Sequence, residues 1–258
     1  MGIIAIAAAR LVAAVCENRH MALNDSSDPV LLITGASSGI GAATARAAAG
    51  RYRLVLAARR LEALEALAAE LGGEERALAV RCDVTEWDQV EAMAAAALER
   101  FGRIDAVFAN AGFGASRGFL EESPEHWRSM VLTNVYGAAL TIRATLPHLL
   151  ERGDGHFLIT SSVAGRRALP GSLYSATKWA ATAIGEALRA ELRQMHENKG
   201  IKVTLIEPGM TDTDFFDNRP GEWALQDTDI AKAVMYALEQ GPGVDVNEIL
   251  IRPTSQPS

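Results

Sequence analysis

The sequence has few cysteines and no excess of basic residues. Its 258 residues include two cysteines, Cys16 and Cys82, and no CxxC pair, which argues against a disulfide framework and favours a reducing compartment such as the cytoplasm. The five histidines show no metal-ligand spacing, so we predict no metal site. Lysine and arginine number 25 against 32 aspartates and glutamates, and the net charge of −7 disfavours nucleic acid or an anionic membrane as a partner.

A long uninterrupted apolar run is also missing. Residues 3–15 are apolar except for Arg10, but they are too short for a membrane span of about 20 residues. They also lack the basic flank and cleavage site of a signal peptide. We therefore expect residues 1–28 to be a disordered or amphipathic extension, with Met21 as an alternative start, and residues 29–258 to form one domain. Membrane attachment through residues 3–15 is the alternative.

From residue 30 onward, short aliphatic runs alternate with longer Ala-rich amphipathic runs. The early aliphatic runs are continuously apolar, which is typical of parallel strands covered by helices on both faces. Seven such runs predict an α/β fold, a doubly wound Rossmann-like parallel sheet of seven strands with helices on both faces. The predicted strands are 30–34, 53–58, 77–82, 105–109, 155–161, 201–207 and 247–252; the predicted helices are 39–50, 60–72, 86–101, 123–151, 172–198 and 228–240. Thr85 with Asp88 suggests a capping box, and Ser123 before Pro124 suggests an N-cap.

A glycine-rich turn, "TGASSGIG" at residues 34–41, links the first predicted strand to the first predicted helix. Gly35 permits the tight turn, while Gly39 and Gly41 allow a pyrophosphate to approach the backbone at the helix N-terminus. A glycine turn without a ligand is the alternative, and the position between strand and helix disfavours it. Because GxxxxGK[ST] is absent, the pattern indicates a dinucleotide site and not a P-loop.

The end of the second predicted strand, "LAARR", bears on which dinucleotide binds. Ala58 stands where an acidic residue would bind the ribose 2′-hydroxyl of NAD, and Arg59 and Arg60 follow. A guanidinium can bind a 2′-phosphate that a carboxylate would repel. We predict NADP(H) as the preferred cofactor and NAD(H) as the less favoured one, with Arg59 as the main contact and Ser37 as its helper. Alternatively, the arginines are the exposed start of a helix, which suits Arg60 better.

A tyrosine and a lysine lie four residues apart in "YSATK", at residues 174–178. On a helix this spacing puts Tyr174 and Lys178 on one face. A nearby ammonium group would lower the phenol pKa from its usual value near 10, and the phenol could then serve as a general acid or base. Ser162, 12 residues upstream of Tyr174, could donate a hydrogen bond to a substrate oxygen.

These features resemble the short-chain dehydrogenase/reductase family, in its smaller single-domain branch. The resemblance spans nearly all of residues 30–252 and rests on segments in family order: "TGASSGIG", "CDVT" at 82–85, "NAG" at 110–112, "NVYG" at 134–137, "SSVAG" at 161–165, "YSATK" and "EPGMTDT" at 207–213. It implies reversible hydride transfer between NADPH and a small carbonyl or alcohol substrate. A non-catalytic redox sensor or scaffold of the same fold is the alternative.

The resemblance also assigns roles to individual residues. Tyr174 would be the proton donor or acceptor, Lys178 would tune its pKa and bind the nicotinamide ribose, Ser162 would orient the substrate oxygen, and Asn134 would hold a water in the proton relay. With the glycine turn and the arginines, the expected cofactor-binding residues are Gly35, Ser37, Ser38, Gly39, Ile40, Gly41, Arg59, Arg60, Asp83, Val84, Asn110, Ala111, Gly112, Tyr174, Lys178, Pro208, Gly209, Thr211 and Thr213.

Two points stay open within the resemblance. The commoner serine-to-tyrosine spacing in the family is 13, which would select Ser161 in place of Ser162. Substrate identity is expected to depend on residues 211–229, with help from 113–119 and 165–173, where Arg166 or Arg219 could meet an anionic group. The family also implies a homodimer or homotetramer, assembled through the helices predicted at 123–151 and 172–198.

Overall fold

Strands and helices alternate along the chain in the computed structural model, which describes residues 28–116, 118–170, 173–197, 200–213, 221 and 223–256. The predicted extension, apart from Asp28, lies outside these described residues. The strands are β1 (Val30–Thr34), β2 (Arg53–Ala58), β3 (Ala77–Arg81), β4 (Ala106–Ala109), β5 (Gly155–Thr160), β6 (Ile201–Pro208), β7 (Thr211–Asp212), β8 (Leu225–Gln226) and β9 (Glu248–Ile251). The α-helices are α1 (Gly39–Ala48), α2 (Leu61–Glu70), α3 (Trp87–Phe101), α4 (Pro124–Val131), α5 (Ala138–Arg152), α6 (Leu173–Met195) and α7 (Asp227–Leu238).

Seven of the strands form one parallel sheet in the order β3-β2-β1-β4-β5-β6-β9. The predicted doubly wound parallel sheet of seven strands is confirmed. The chain runs outward in one direction from β1 and in the other from β4, so the strand order reverses between these two strands. Ligands of open parallel sheets bind at such a switch point, outside the carboxyl ends of the strands.

The helices cover both faces of the sheet, as predicted. Val30 and Leu32 of β1 lie in a core shared with side chains of α3, α5 and α6. Leu31 and Ile33 face the opposite side, in a core shared with α1, α2 and α7. All four of these strand residues are fully buried. Burial on both faces explains why the strand is apolar at every position instead of at every second one.

One predicted helix start is confirmed and the other is wrong. Ser123 caps α4, because its Oγ accepts a hydrogen bond from the backbone N–H of His126 at 3.1 Å. The capping box predicted for Thr85 does not form, since α3 begins at Trp87 with Glu86 as its N-cap. Thr85 Oγ1 instead donates to Asp83 Oδ1 at 2.9 Å, within the turn that follows β3.

The helix predicted over 123–151 is interrupted by a π-helical segment, Leu132–Gly137. A π turn closes its hydrogen bonds one residue later than an α turn and so accommodates one extra residue. The segment turns Asn134 inward, where 3 % of its surface is exposed. Gly137 packs against Val84, and a Cβ added at Gly137 would lie 2.6 Å from Val84 Cγ2.

Two of the helices expected to mediate assembly carry exposed aromatic side chains. Tyr136, in the π-helical segment, and Trp179, in α6, are each about half exposed. Pairing of copies through these helices stays a prediction. Among the described residues, no helix combines the length and apolar character that crossing a bilayer requires.

His156, at the start of β5, is a buried histidine that must stay neutral. Its Nε2 lies 2.7 Å from Thr204 Oγ1, whose proton is donated to Val246 O at 2.6 Å. Nε2 is therefore the protonated nitrogen, and the buried Nδ1 finds no hydrogen-bond partner in the part of the chain that the structure describes. Burial, with a smaller contribution from Lys202, lowers the pKa of His156 to about 3. The unfolded chain, in contrast, binds a proton near pH 6.5.

We expect the free energy of unfolding to fall as the pH drops below 6.5, because the His156 side chain binds a proton in the unfolded state and does not bind one in the folded state. The loss from this residue is about 1.4 kcal/mol per pH unit until the folded pKa is approached, and it is absent above pH 7. His156→Gln will flatten this part of the pH dependence in urea titrations at pH 4 to 7. His196→Gln, at an exposed histidine, serves as the control. An unchanged slope in His156→Gln would contradict the assignment.

Candidate active site

The predicted site residues come together around a cleft of about 890 Å³ at the carboxyl ends of the parallel strands. The cleft crosses the point between β1 and β4 where the strand order reverses. All but two of the residues predicted for catalysis or cofactor binding line it; Gly41 and Asn134 lie just behind its wall. Among the described residues, no group of three potential ligand side chains comes together to hold a metal ion.

Two glycines of the turn between β1 and α1 have no room for a side chain. Gly35 adopts φ +69°, and a Cβ added there would lie 2.9 Å from Ala111 Cα. A Cβ added at Gly41 would lie 2.3 Å from the carbonyl oxygen of Gly35. The turn therefore stays flush with the cleft wall, and the N-terminus of α1 offers its free N–H groups to an anion there. This geometry fits the pyrophosphate of a dinucleotide.

Arg60 reaches across the glycine turn. Its Nη2 donates to Ser38 Oγ at 2.8 Å and to Ser37 Oγ at 3.1 Å. Arg59 and Arg60 are both exposed and both line the cleft. The sequence predicted Arg59 as the main contact of a 2′-phosphate, with Ser37 as its helper. In the structure it is Arg60 that hydrogen-bonds with Ser37. Arg60 also precedes α2 as its N-cap residue, which agrees with the alternative expectation for it.

A chain of hydrogen bonds connects the strand ends beneath the cleft. Thr34 Oγ1 accepts from the backbone N–H groups of Asn110 and Ala111, at 3.1 and 3.2 Å. The Asn110 side chain accepts from Thr160 Oγ1 at 3.0 Å, and the carbonyl oxygen of Thr160 accepts from Lys178 Nζ at 2.8 Å. Lys178 is thereby fixed to β5 and is 3 % exposed. Thr34 and Thr160 were not predicted, although a polar residue at the end of a buried strand is a usable signal.

The structure distinguishes the two candidate serines. Ser162 follows β5, and its side chain hydrogen-bonds with Tyr174. Its Oγ also accepts from the N–H of Ala164 at 3.1 Å and lies 3.3 Å from the carbonyl oxygen of Pro208.

Ser161 Oγ points to helix α6, where it contacts the Lys178 carbonyl at 3.0 Å and Thr182 at 2.7 Å. Ser162 is therefore the candidate that reaches the phenol.

Burial dominates the ionisation of Tyr174 and Lys178. It raises the pKa of Tyr174 to about 12, while the hydrogen bond with Ser162 acts in the opposite direction. Burial also lowers the pKa of Lys178 to about 8. Lys178 Nζ lies 5.7 Å from the centre of the Tyr174 ring. Lys178 was expected to lower the pKa of the phenol; in this arrangement burial raises that pKa, and the hydrogen bond with Ser162 is what opposes the rise.

Asn134 uses its side-chain amide to hold the loop that follows β4. Its Oδ1 accepts from the N–H of Phe113 at 3.0 Å, and its Nδ2 donates to the carbonyl oxygen of Phe113 at 2.9 Å. Nδ2 also lies 3.1 Å from Thr177 Oγ1 in α6. Gly112 fits between the two elements, and a Cβ added there would lie 2.9 Å from Asn134 Oδ1 and 3.8 Å from Lys178 Nζ.

The segments expected to contact substrate are only partly described. Phe113–Ser116 and Leu169 line the cleft, as do Ser129, Thr133 and Met210, which the sequence did not single out. Phe215, Phe216 and Arg219 lie outside the described residues.

The expectation that Arg166 could meet an anionic substrate is not supported, because its guanidinium forms salt bridges with Glu207, at 2.7 Å, and with Glu248. Glu207 is 1 % exposed, so its buried carboxylate engages the Arg166 guanidinium from the interior side.

Comparison with known proteins identifies the family. The family model described as short chain dehydrogenase matches residues 29–222. The chain belongs to the short-chain dehydrogenase/reductase family. An uncharacterised oxidoreductase of Listeria monocytogenes is 36 % identical over 243 residues, which cover 88 % of this chain and 97 % of the relative. The protein is therefore an oxidoreductase of the short-chain dehydrogenase/reductase type.

Solved structures agree with this assignment. An alcohol dehydrogenase of the archaeon Thermococcus sibiricus, complexed with 5-hydroxy-NADP, is 35 % identical with a TM-score of 0.82, and the alignment covers 90 % of this chain and 99 % of that one. A short-chain dehydrogenase/reductase of Burkholderia phymatum in complex with NAD is 30 % identical with a TM-score of 0.77, covering 86 % and 88 % of the two chains. These neighbours support a nicotinamide dinucleotide as the cofactor of this family member.

Proposed function

We propose that the protein is an NADPH-dependent reductase of small aldehydes or ketones that also acts in reverse on the corresponding alcohols. The observation that carries this proposal is the hydrogen bond between Ser162 and Tyr174, in the same cleft as the glycine turn and Lys178. A proton donor and a second hydrogen-bond donor that converge beside a dinucleotide site are the groups that carbonyl reduction requires.

The residues present fit the cofactor at both of its charged groups. The glycine turn and the N-terminus of α1 would hold the pyrophosphate, and Arg60 with Ser37 would hold a 2′-phosphate by charge-assisted hydrogen bonds. The strand-end residue Ala58 adds no negative charge that would repel this phosphate. When bound, the cofactor supplies the hydride for reduction and accepts it in oxidation.

The chain's own groups handle the proton. Because the pKa of Tyr174 is about 12, its phenol is protonated at neutral pH and donates a proton to the oxygen that becomes the alcohol. Ser162 donates a hydrogen bond to the same oxygen and stabilises its developing negative charge. Lys178, which is held by Thr160, would bind the ribose. Asn134, which holds the loop of Phe113, would contribute to the proton relay.

The direct test is NADPH oxidation by the purified full-length chain with a panel of aliphatic and aromatic aldehydes and ketones. We expect turnover of about 1–1,000 s⁻¹ with at least one of these carbonyl compounds. NADPH binding without turnover across a broad panel would overturn the proposal, because that result is expected of a dinucleotide-binding sensor or scaffold.

A further inference from the structure

The C-terminal residues fold back onto the cleft. After edge strand β9, the backbone N–H of Gln256 donates to the carbonyl oxygen of Pro253 at 3.0 Å and closes a turn. Pro253 is buried, which anchors the turn, and the side chain of Gln256 lines the cleft. Gln256 is therefore a cleft residue about 80 positions away from Tyr174 in the sequence.

Gln256 contacts the backbone of the loop between β6 and β7. Its Oε1 accepts a hydrogen bond from the N–H of Met210 at 2.9 Å. The preceding N–H, of Gly209, donates to the carbonyl oxygen of Ile251 at 2.6 Å. Two consecutive amide groups of this loop are thus held by the C-terminal segment. On its other side, the carbonyl oxygen of Met210 accepts from Leu225 N at 3.0 Å.

The same contact leaves no space at Gly209. A Cβ added to Gly209 would lie 2.3 Å from Gln256 Oε1 and 3.0 Å from Arg252 Cα. The glycine and the glutamine are therefore packed as a pair. Thr213, directly after β7, approaches the glycine turn, because a Cβ added at Gly39 would lie 3.3 Å from Thr213 Cγ2. The position of this loop thus helps to shape the wall of the cleft where a dinucleotide would lie.

We propose that Gln256 is a positioning residue: its side-chain oxygen fixes the Met210 amide, and through it the Pro208–Thr213 wall of the cofactor cleft. This inference rests on the proposed function, because it assumes that the cleft binds NADPH. By this proposal the turn at Pro253–Gln256 shapes the cofactor cleft, although none of its side chains takes part in hydride or proton transfer.

The test is NADPH binding, measured by titration calorimetry, alongside turnover and the melting temperature. Gln256→Met keeps the size of the side chain and removes the oxygen acceptor; we expect a rise of about 10-fold in the NADPH dissociation constant, since a backbone N–H loses its partner. Gln256→Glu retains an oxygen acceptor, and we expect it to restore most of the affinity. Gln194→Met, at an exposed site on α6, is the control for the substitution itself.

A double-variant cycle with Gly209→Ala makes the test specific to this contact. A Cβ at position 209 would press on Arg252 and displace Gln256 Oε1, so Gly209→Ala by itself already breaks the Gln256 contact. Gly209→Ala combined with Gln256→Met should therefore bind NADPH no more weakly than Gly209→Ala alone. Additive losses, or an unchanged affinity in Gln256→Met, would overturn the inference. A lower melting temperature with unchanged affinity would also overturn it, as a structural role alone predicts that result. If wild-type protein binds NADPH but reduces no carbonyl, the proposed function fails and the affinity measurements still decide the role of Gln256.

Discussion

Tyr174→Phe will lower kcat for carbonyl reduction by about 100- to 10,000-fold while leaving NADPH binding nearly unchanged. The substitution removes only the phenolic oxygen, which is the group that hydrogen-bonds with Ser162 and the proton donor in our mechanism. The ring itself remains, so its packing against the cleft is preserved. Steady-state kinetics with saturating NADPH, together with cofactor binding by fluorescence titration, measures both quantities.

Tyr236→Phe is the matched control, because Tyr236 is 57 % exposed on α7 and lies outside the cleft. The control should behave as wild type, and a Tyr174→Phe enzyme that retains full activity would refute the mechanism.

The pKa of Tyr174, about 12, also predicts how the two reaction directions depend on pH. Reduction needs the protonated phenol, which is present throughout the neutral range, whereas alcohol oxidation needs the phenolate. The oxidation rate should therefore rise as the pH increases.

Ala58→Asp will shift the NADPH:NADH ratio of kcat/KM by about 100-fold toward NADH. Ala58 ends β2 and lines the cleft next to Arg59 and Arg60. A carboxylate there would repel a 2′-phosphate, would compete with it for the arginine side chains, and would accept a hydrogen bond from the 2′-hydroxyl of NADH. Parallel initial-rate measurements with the two cofactors give the ratio directly.

Ala58→Asn separates charge from size, because asparagine has nearly the same shape and no charge. We expect Ala58→Asn to keep most of the NADPH preference. Equal ratios in the two variants would show that charge at this strand end does not decide the preference. A wild-type enzyme that already prefers NADH would contradict the predicted use of Arg60 and Ser37.

The sheet could be predicted from sequence because each strand has a local signature. Val30–Thr34 and Arg53–Ala58 have the boundaries that their apolar runs predict. Four other sheet strands differ by one residue at one end, and the last strand, Glu248–Ile251, is one residue shorter at each end. A strand that is buried on both faces is apolar along its length, so its pattern identifies it without knowledge of its neighbours. The edge strands β3 and β9 are partly exposed and carry this signal less completely. The glycine turn was predictable for a similar reason, since its function depends on adjacent residues.

Contacts between distant segments could not be read from the sequence in the same way. Gln256 meets Met210 across 46 positions, and Arg166 meets Glu207 across 41. The choice between Ser161 and Ser162 depends on how the chain leaves β5, which residue spacing alone does not determine. The direction of the shift in the pKa of Tyr174 could not be predicted either, because the sequence shows the neighbouring lysine but not the burial that raises the pKa.

The π-helical segment Leu132–Gly137 holds one residue more than an α turn would, so we expect the helix to tolerate the loss of one residue there while α4 and α5 keep their buried faces. A π turn that gives up its additional residue closes into ordinary α geometry, and α4 and α5 keep the surfaces that they bury. Asn134, however, would leave its place beside Phe113 and Thr177. We therefore expect a one-residue deletion here to leave the fold intact and to lower activity, because the packing of α4 and α5 would be kept while the contacts of Asn134 would be lost.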